Sequence, residues 1–135
     1  MSTDELVNLA LKARTKAYAP YSNFLVGAAL LAADGQVFLG CNVESASYTP
    51  TNCAERTAFF KAISEGVRTF RAIAIVGAKD GAPVTHCFPC GVCRQVMAEF
   101  CESDFKVIIG DESGNHIETT LDAVLPHRFG PSDLL

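Results

Sequence analysis

The sequence predicts an α/β protein in three layers, with helices on both faces of one mixed five-stranded sheet. Segments with the 3.6-residue apolar period of helices alternate with short apolar runs typical of strands. The chain has 135 residues, 49% hydrophobic and 19% charged, which is sufficient for one buried core. Because internal repeats, low-complexity tracts and linkers are absent, we expect residues 1–135 to form a single domain.

Local signals mark where the helices begin and end. Ser2 and Glu5 have the spacing of a capping box, in which each side chain bonds the other residue's backbone N–H. Apolar residues at helical spacing continue this helix to about Ala17, and Pro20 stops it because the residue before a proline avoids helical dihedrals. Gly66 is placed to end a second helix. The predicted elements in chain order are a helix to residue 17, strands 24–32 and 36–42 joined by a turn at 34–35, a helix 53–65, a strand 72–76, a loop 77–89, a helix 90–100, strands 106–110 and 116–119, and a helix 121–125.

The charge balance argues against a nucleic-acid-binding surface. The formal net charge is −4, and phosphate binding requires clustered Lys and Arg, which this sequence lacks. No run approaches the roughly 20 apolar residues that a membrane span requires, and the acidic N-terminus (Asp4, Glu5) has no signal-peptide pattern. We expect a cytoplasmic protein, whose six cysteines are metal ligands, catalytic groups or buried thiols rather than disulfides.

Three cysteines have the spacing of a metal site with an open position. Cys90 and Cys93 are three residues apart and can bind one metal ion, and Cys53 supplies a third ligand from a distant segment. Cys53 and Cys90 each begin a predicted helix, where the helix dipole and free N–H groups favour the thiolate that ligates zinc. Three protein ligands leave the fourth position of a tetrahedral Zn²⁺ open, and Glu55 follows Cys53 closely enough to move protons there.

Other interpretations of these cysteines stay open from spacing alone. A structural zinc site requires a fourth protein ligand, for which Cys87, His86 and Cys101 are available. The run 87–93 is C-x₂-C-x₂-C, as in part of a ferredoxin cluster motif, but the next cysteine and its following proline are missing. A thioredoxin-like pair would require a strand directly before Cys90.

The residues around the cysteines resemble a known family. Cys53-Ala54-Glu55 with Pro89-Cys90-Gly91-Val92-Cys93 matches the signature of zinc nucleoside and nucleobase deaminases in its three-cysteine form. The resemblance extends over nearly the whole chain, which looks like the small, homotetrameric, zinc-dependent cytidine deaminases. The further matching segments are Ala19-Pro20-Tyr21-Ser22, Phe24 with Val26-Gly27-Ala28-Ala29-Leu30, Gly40-Cys41-Asn42-Val43-Glu44, Asn52 to Ala58, Arg94-Gln95 and the tail from Leu125-Pro126 to Phe129.

The resemblance implies a role for each residue near the cysteines. Cys53, Cys90 and Cys93 would bind Zn²⁺, with water as the fourth ligand. The metal would lower the pKa of this water toward neutrality. Glu55 would take a proton from this water and pass it to the base and to the departing amino group. Arg56 would donate hydrogen bonds to cysteine sulfurs, which offsets the negative charge of three thiolates on one Zn²⁺.

The resemblance also implies the residues that bind substrate. They are Phe24 against the pyrimidine, Asn42 and Glu44 on the ribose, Ala46 and Tyr48 in the substrate loop, Ala54 beside the substrate, and Phe129, which would reach a neighbouring subunit's site. Asn42 and Glu44 are two apart on an extended segment and therefore point to the same side. The chain departs from the family at Phe88, at 49–51 and in a slightly long loop 78–87, which affects the expected shape of the pocket.

The implied activity is hydrolytic deamination of cytidine and 2′-deoxycytidine to the uridines, with release of ammonia, in pyrimidine salvage. The implied assembly is a homotetramer whose active sites are completed by neighbouring subunits. A deaminase of another amino-heterocycle or nucleoside analogue is the alternative, and a structural zinc module without catalysis is a further one.

Overall fold

The computed structural model describes all 135 residues and contains five strands and four α-helices. Their order agrees with the α-β-β-α-β-α-β-β-α order predicted from the sequence. The elements are α1 (Thr3–Arg14), β1 (Phe24–Ala32), β2 (Val37–Cys41), α2 (Ala54–Ser64), β3 (Phe70–Lys79), α3 (Gly91–Phe100), β4 (Lys106–Gly110), β5 (His116–Thr120) and α4 (Leu121–Val124). A short 3₁₀ turn, Pro131–Asp133, follows near the C-terminus. None of these helices combines the length and the apolar character that crossing a bilayer would require.

One mixed sheet organises the chain, in the strand order β2-β1-β3-β4-β5. Strands β3 and β4 are parallel, and the other neighbouring pairs are antiparallel. Helix α1 packs on one face with a core that includes Leu6 and Val7, and α2 and α3 pack on the other face through Phe59 and Met97. The predicted three-layer arrangement with a mixed five-stranded sheet is therefore confirmed.

Strand β1 is buried on both faces, which explains its continuous apolar sequence. Ala28 and Leu30 belong to the core under α2 and α3, whereas Ala29 belongs to the core under α1. The neighbouring strand β2 approaches α2 closely at Gly40. A Cβ there would lie 2.3 Å from the Ala54 carbonyl oxygen, so glycine is required for the first turn of α2 to lie against the sheet. This contact sets the position of the residues that begin α2.

Two elements, α1 and β3, differ from their predicted bounds by more than one residue. The capping box of Ser2 and Glu5 is present, but α1 ends at Arg14 rather than near Ala17. Lys16 and Ala17 still donate to carbonyls three residues back, at 3.0 and 3.1 Å, so the chain continues as a tighter turn outside the α-helix. The change from four-residue to three-residue hydrogen bonds cannot be predicted from the spacing of apolar residues.

Strand β3 is longer than the apolar run 72–76 suggested, and the predicted loop 77–89 begins only at Asp80. Gly77 and Ala78 continue the antiparallel pairing with Val26 and Leu25 of β1. Gly77 looked like a strand end because glycine is unfavourable in strands. It is tolerated here for a packing reason, since a Cβ at this position would lie 2.8 Å from Cys87 Sγ.

Candidate metal centre and active site

The N-termini of two helices bring three cysteine sulfurs together. Cys53 is the N-cap of α2, Cys90 is the N-cap of α3, and Cys93 lies in the first turn of α3. The sulfur of Cys90 is 3.7 Å from that of Cys53 and 3.6 Å from that of Cys93. Tetrahedral zinc–thiolate bonds of about 2.3 Å place neighbouring sulfurs about 3.8 Å apart. The cluster therefore has the dimensions of a zinc-binding thiolate site.

The cluster contains three ligands and no fourth. All three sulfurs lie within 4.8 Å of one another, and no further Cys, His, Asp or Glu ligand atom joins them. Cys87, His86 and Cys101, the candidates for the fourth ligand of a structural site, lie outside this group. A tetrahedral ion held by these sulfurs keeps one position open, which is the property of catalytic sites.

Protons are shared unevenly among these thiols. Hydrogen bonds to its sulfur, first from Cys93 and then from Arg56 and Cys90, lower the pKa of Cys53 to about 5. The same bond between Cys53 and Cys93 raises the pKa of Cys93, since its thiol is the donor. Metal binding requires thiolates and releases such protons, so a cation at the cluster replaces the shared protons.

Arg56 lies directly against the cluster. Its Nη2 donates to Cys53 Sγ at 3.3 Å, in a partly buried position. Its Nε is fully buried and has no hydrogen-bond partner. A buried donor without an acceptor costs free energy. The position of Arg56 is therefore better explained by its charge beside the sulfurs than by a contribution to stability.

Glu55 is the buried carboxyl beside the cluster, with only 4% of its surface exposed. It lies in the first turn of α2, next to Arg56 and two residues after Cys53. Burial raises the pKa of Glu55 to about 7, and the negative charge of Cys53 acts in the same direction. Carboxyl groups whose pKa is raised toward neutrality are typical of general acid–base catalysts.

An open cavity of about 260 Å³ joins Glu55 and the cluster to the predicted substrate residues. Cys53, Glu55 and Cys90 line it together with Phe24, Asn42 and Glu44. The other lining residues are Ser22, Val26, Thr51, Asn52, Cys87 and Phe88. A larger cavity of about 580 Å³, between the end of α3 and the C-terminal residues, contains none of the three clustered cysteines.

The remaining predicted residues do not line this cavity. Ala54 is completely buried, whereas Ala46 is exposed on the loop after β2. Tyr48, with 72% of its surface exposed, lines an adjoining depression that shares Ser22, Glu44 and Thr51 with the cavity. Phe129 is also exposed, and its carbonyl oxygen accepts a hydrogen bond from Gln95 Nε2 at 2.7 Å.

The side chain of Asn42 is bonded to the backbone of β1. Its Oδ1 accepts from the Val26 N–H at 2.9 Å, and its Nδ2 donates to the Phe24 carbonyl oxygen at 2.7 Å. Asn42 therefore continues the contact of β2 with β1 past the end of β2, and its side chain is rigidly held. Sequence spacing alone did not suggest these contacts.

Cys87 and Ser22 are cavity residues that the sequence did not predict to line the substrate site. Cys87, which spacing offered as the fourth ligand of a structural site, has a half-buried side chain that lines the cavity and packs against Gly77. Burial, followed by the charges of Glu55 and Cys53, raises the pKa of Cys87 to about 11, so its thiol is neutral at pH 7. Both residues stand in segments that carry a sequence motif: Cys87 begins the C-x₂-C-x₂-C run 87–93, and Ser22 ends the family-matching segment 19–22.

Comparison with known proteins identifies the class of protein to which this chain belongs. Residues 1–110 match the family model described as "Cytidine and deoxycytidylate deaminase zinc-binding region". The chain therefore contains a zinc-binding deaminase domain, and the cluster of Cys53, Cys90 and Cys93 has the donor set for a metal ion.

Full-length similarities define the family more narrowly. The chain is 52% identical to "Cytidine deaminase" from Sporosarcina psychrophila and 52% identical to that from Halalkalibacterium halodurans. Both alignments cover 99% of this chain, and they cover 96% and 98% of those proteins, respectively. The crystal structure of cytidine deaminase from Burkholderia pseudomallei superposes with a TM-score of 0.87 at 49% identity, covering 96% of this chain and 100% of that one. This chain belongs to the cytidine deaminase family.

Proposed function

We propose that this protein catalyses the hydrolytic deamination of cytidine and 2′-deoxycytidine to uridine and 2′-deoxyuridine, with release of ammonia. The observation that carries this proposal is the buried carboxyl of Glu55 beside an open three-thiol cluster, in one cavity with Phe24, Asn42 and Glu44. Membership of the cytidine deaminase family and full-length relatives of that name support it.

Zn²⁺ is the metal that we propose for the cluster, held by Cys53, Cys90 and Cys93. Soft thiolates at tetrahedral spacing favour zinc, and hydrolysis requires no redox change. Bound there, Zn²⁺ would act as a Lewis acid that makes water nucleophilic near neutral pH. Arg56 would partly neutralise the thiolates, because its guanidinium already donates to Cys53 Sγ.

Glu55 moves the protons in this mechanism. Its carboxylate accepts a proton from the attacking water and delivers it to N3 of the base while the water oxygen adds to C4. Glu55 then transfers a second proton from the added hydroxyl to the departing amino nitrogen, so that ammonia leaves and the C4 carbonyl forms. The burial of Glu55 excludes competing solvent protons and keeps its carboxyl within the cavity.

The walls of the cavity orient the nucleoside. Phe24, Asn42 and Glu44 all line the cavity, where Phe24 would pack against the pyrimidine ring and Asn42 and Glu44 would bind the ribose hydroxyls. Ala54 leaves room for the base, and the exposed loop with Ala46 and Tyr48 covers the ribose side. A free base has no ribose to meet Asn42 and Glu44, so this arrangement favours nucleosides over nucleobases.

We further propose a homotetramer of single-domain chains, residues 1–135, acting in the cytoplasm. Phe129 is 59% exposed and lies outside the cavity lining of its own chain, while Phe88 and Tyr48 leave aromatic surface at the cavity and its adjoining depression. Contact between chains would bury these side chains, and Phe129 would complete a neighbour's site. The contact of Gln95 with the Phe129 carbonyl supports a fixed tail position.

The loss of absorbance that accompanies conversion of cytidine to uridine tests the main proposal. We expect turnover of cytidine and 2′-deoxycytidine, little turnover of cytosine, and loss of activity with a strong chelator. Activity on cytosine that exceeds activity on cytidine would favour a different amino-heterocycle. Bound zinc without any deamination would instead favour a structural zinc module.

Arg56→Ala is expected to retain zinc and to lower kcat about 10- to 100-fold, the range typical for residues that support metal ligands. Without the guanidinium, three thiolates keep more negative charge at the metal and acidify bound water less. Zinc content and cytidine kinetics measure the two effects separately. Arg71→Ala, an exposed arginine on β3, serves as the matched control. Wild-type turnover of Arg56→Ala would contradict the charge argument.

Phe129→Ala is expected to raise KM for cytidine about tenfold with little change in kcat, because an aromatic contact to the substrate is lost. Steady-state kinetics and light scattering report affinity and assembly. Leu135→Ala, in the same tail and fully exposed, should behave as wild type. Unchanged affinity in a tetrameric Phe129→Ala protein would show that the tail does not reach a site.

A further inference from the structure

Glu44 is held by three hydrogen bonds from the turn that precedes β1. Its Oε1 accepts from the backbone N–H groups of Tyr21 at 3.0 Å and Ser22 at 3.1 Å. Its Oε2 accepts from the hydroxyl of Ser22. A carboxylate offers about four acceptor sites, so these bonds leave one site free, on Oε2.

The Ser22 hydroxyl connects this carboxylate to β1. While it donates to Glu44, the same oxygen accepts from the Phe24 N–H at 3.0 Å. Asn23, between these residues, has φ of 59°, in the left-handed region that asparagine tolerates better than most residues. This backbone reversal allows the Ser22 oxygen to reach the N–H two residues later, as in an ST-turn.

Backbone pairing brings the two segments together but does not orient the carboxylate. Glu44 N–H donates to the Tyr18 carbonyl oxygen at 2.9 Å, and Tyr18 N–H donates to that of Asn42 at 2.9 Å. The Glu44 side chain still has its own rotatable bonds beyond this pairing. Of the three donors to its carboxylate, only the Ser22 hydroxyl contacts Oε2, the oxygen with the free acceptor site.

We propose that Ser22 is a positioning residue, which acts on substrate through Glu44 by aiming the free acceptor site of its carboxylate at a ribose hydroxyl. This inference rests on the proposed role of Glu44 in nucleoside binding. Ser22 and Glu44 both line the cavity that contains Glu55, so the pair lies where the ribose would bind. Without the hydroxyl, the carboxylate retains its charge but loses the donor that fixes Oε2.

The test compares Ser22→Ala, Ser22→Thr, Glu44→Ala and the Ser22→Ala/Glu44→Ala double variant. We expect Ser22→Ala to raise KM for cytidine and Kd for uridine about three- to tenfold, the range of one hydrogen bond of ordinary net strength, with kcat within about twofold. Ser22→Thr keeps the hydroxyl and should restore most of the affinity. The double variant should bind uridine no more weakly than Glu44→Ala.

Calorimetry with uridine gives Kd independently of catalysis, and thermal melting shows whether each variant is folded. Ser113→Ala, in the exposed turn between β4 and β5, should leave both constants unchanged. If Glu44→Ala weakens uridine binding but Ser22→Ala does not, the positioning role is overturned and the role of Glu44 stands. Additive losses would overturn it too, since Ser22 would then act on substrate independently of Glu44. If Glu44→Ala leaves binding intact, the proposed ribose site itself fails.

Discussion

Glu55→Gln should lower kcat for cytidine about 10²- to 10⁴-fold, the usual contribution of a general acid–base group. Glutamine has nearly the same shape and keeps the position in the first turn of α2, but it cannot accept and return a proton. Because the three sulfur ligands are unchanged, zinc content should equal that of the wild type. Steady-state absorbance kinetics and metal analysis of the same preparation check both expectations.

The thermal stability of Glu55→Gln offers a second measurement, because this substitution should lower activity without lowering the melting temperature. The carboxyl is 4% exposed, and burial is the main cause of its raised pKa, so the native side chain lies in an unfavourable environment. A neutral amide should therefore leave the melting temperature equal or higher. Glu65→Gln, at the exposed C-cap of the same helix, should change neither activity nor zinc content. Full activity in Glu55→Gln would remove the basis for general acid–base catalysis at this site.

Cys93→Ala should eliminate stoichiometric zinc and, with it, detectable deamination. Cys93 is 1% exposed, and its sulfur lies 3.6 Å from that of Cys90. Two remaining thiols cannot hold Zn²⁺ with comparable affinity, so the loss should exceed the about 10- to 100-fold effect typical of residues that only support a ligand. The melting temperature should fall as well, because a metal that binds only the folded chain stabilises it.

Two further cysteine variants make this test specific. Cys101→Ala, outside the cluster, should keep both zinc and turnover, although its half-buried thiol contributes to packing. Cys87→Ala distinguishes an open catalytic site from a closed structural site, because only a closed site would need the Cys87 thiolate as its fourth ligand. Atomic absorption of the purified proteins gives the zinc content. Retained zinc in Cys93→Ala, or lost zinc in Cys87→Ala, would contradict the three-ligand arrangement.

The order of elements could be predicted because each depends on nearby residues. The capping box of Ser2 and Glu5, the apolar run of β1 and the stop at Gly66 all act within a few positions of the chain. The end of α1 and the length of β3 could not be predicted in the same way. The first depends on a change of hydrogen-bond partner, and the second on pairing with β1 around a glycine that makes room for Cys87.

For the site, the residue types and their spacing already identify the chemical groups that are available. Three cysteines, a carboxyl after the first and an arginine beside it are the groups of a metal site with a proton carrier, and the matching motifs predicted the deaminase family that the comparisons confirm. Their roles as ligands, proton carrier and charge partner stay predictions until the variants are measured.

The distances and contacts between these groups come from the packing of the fold. It places the sulfurs of Cys53 and Cys90 3.7 Å apart, bonds Asn42 to β1 and joins Ser22 to Glu44. It also shows Cys87 in the cavity wall. Each of these contacts joins residues from separate segments, and their distances follow from how helices and strands pack. Local spacing encodes the chemical groups, whereas packing sets the distances between them.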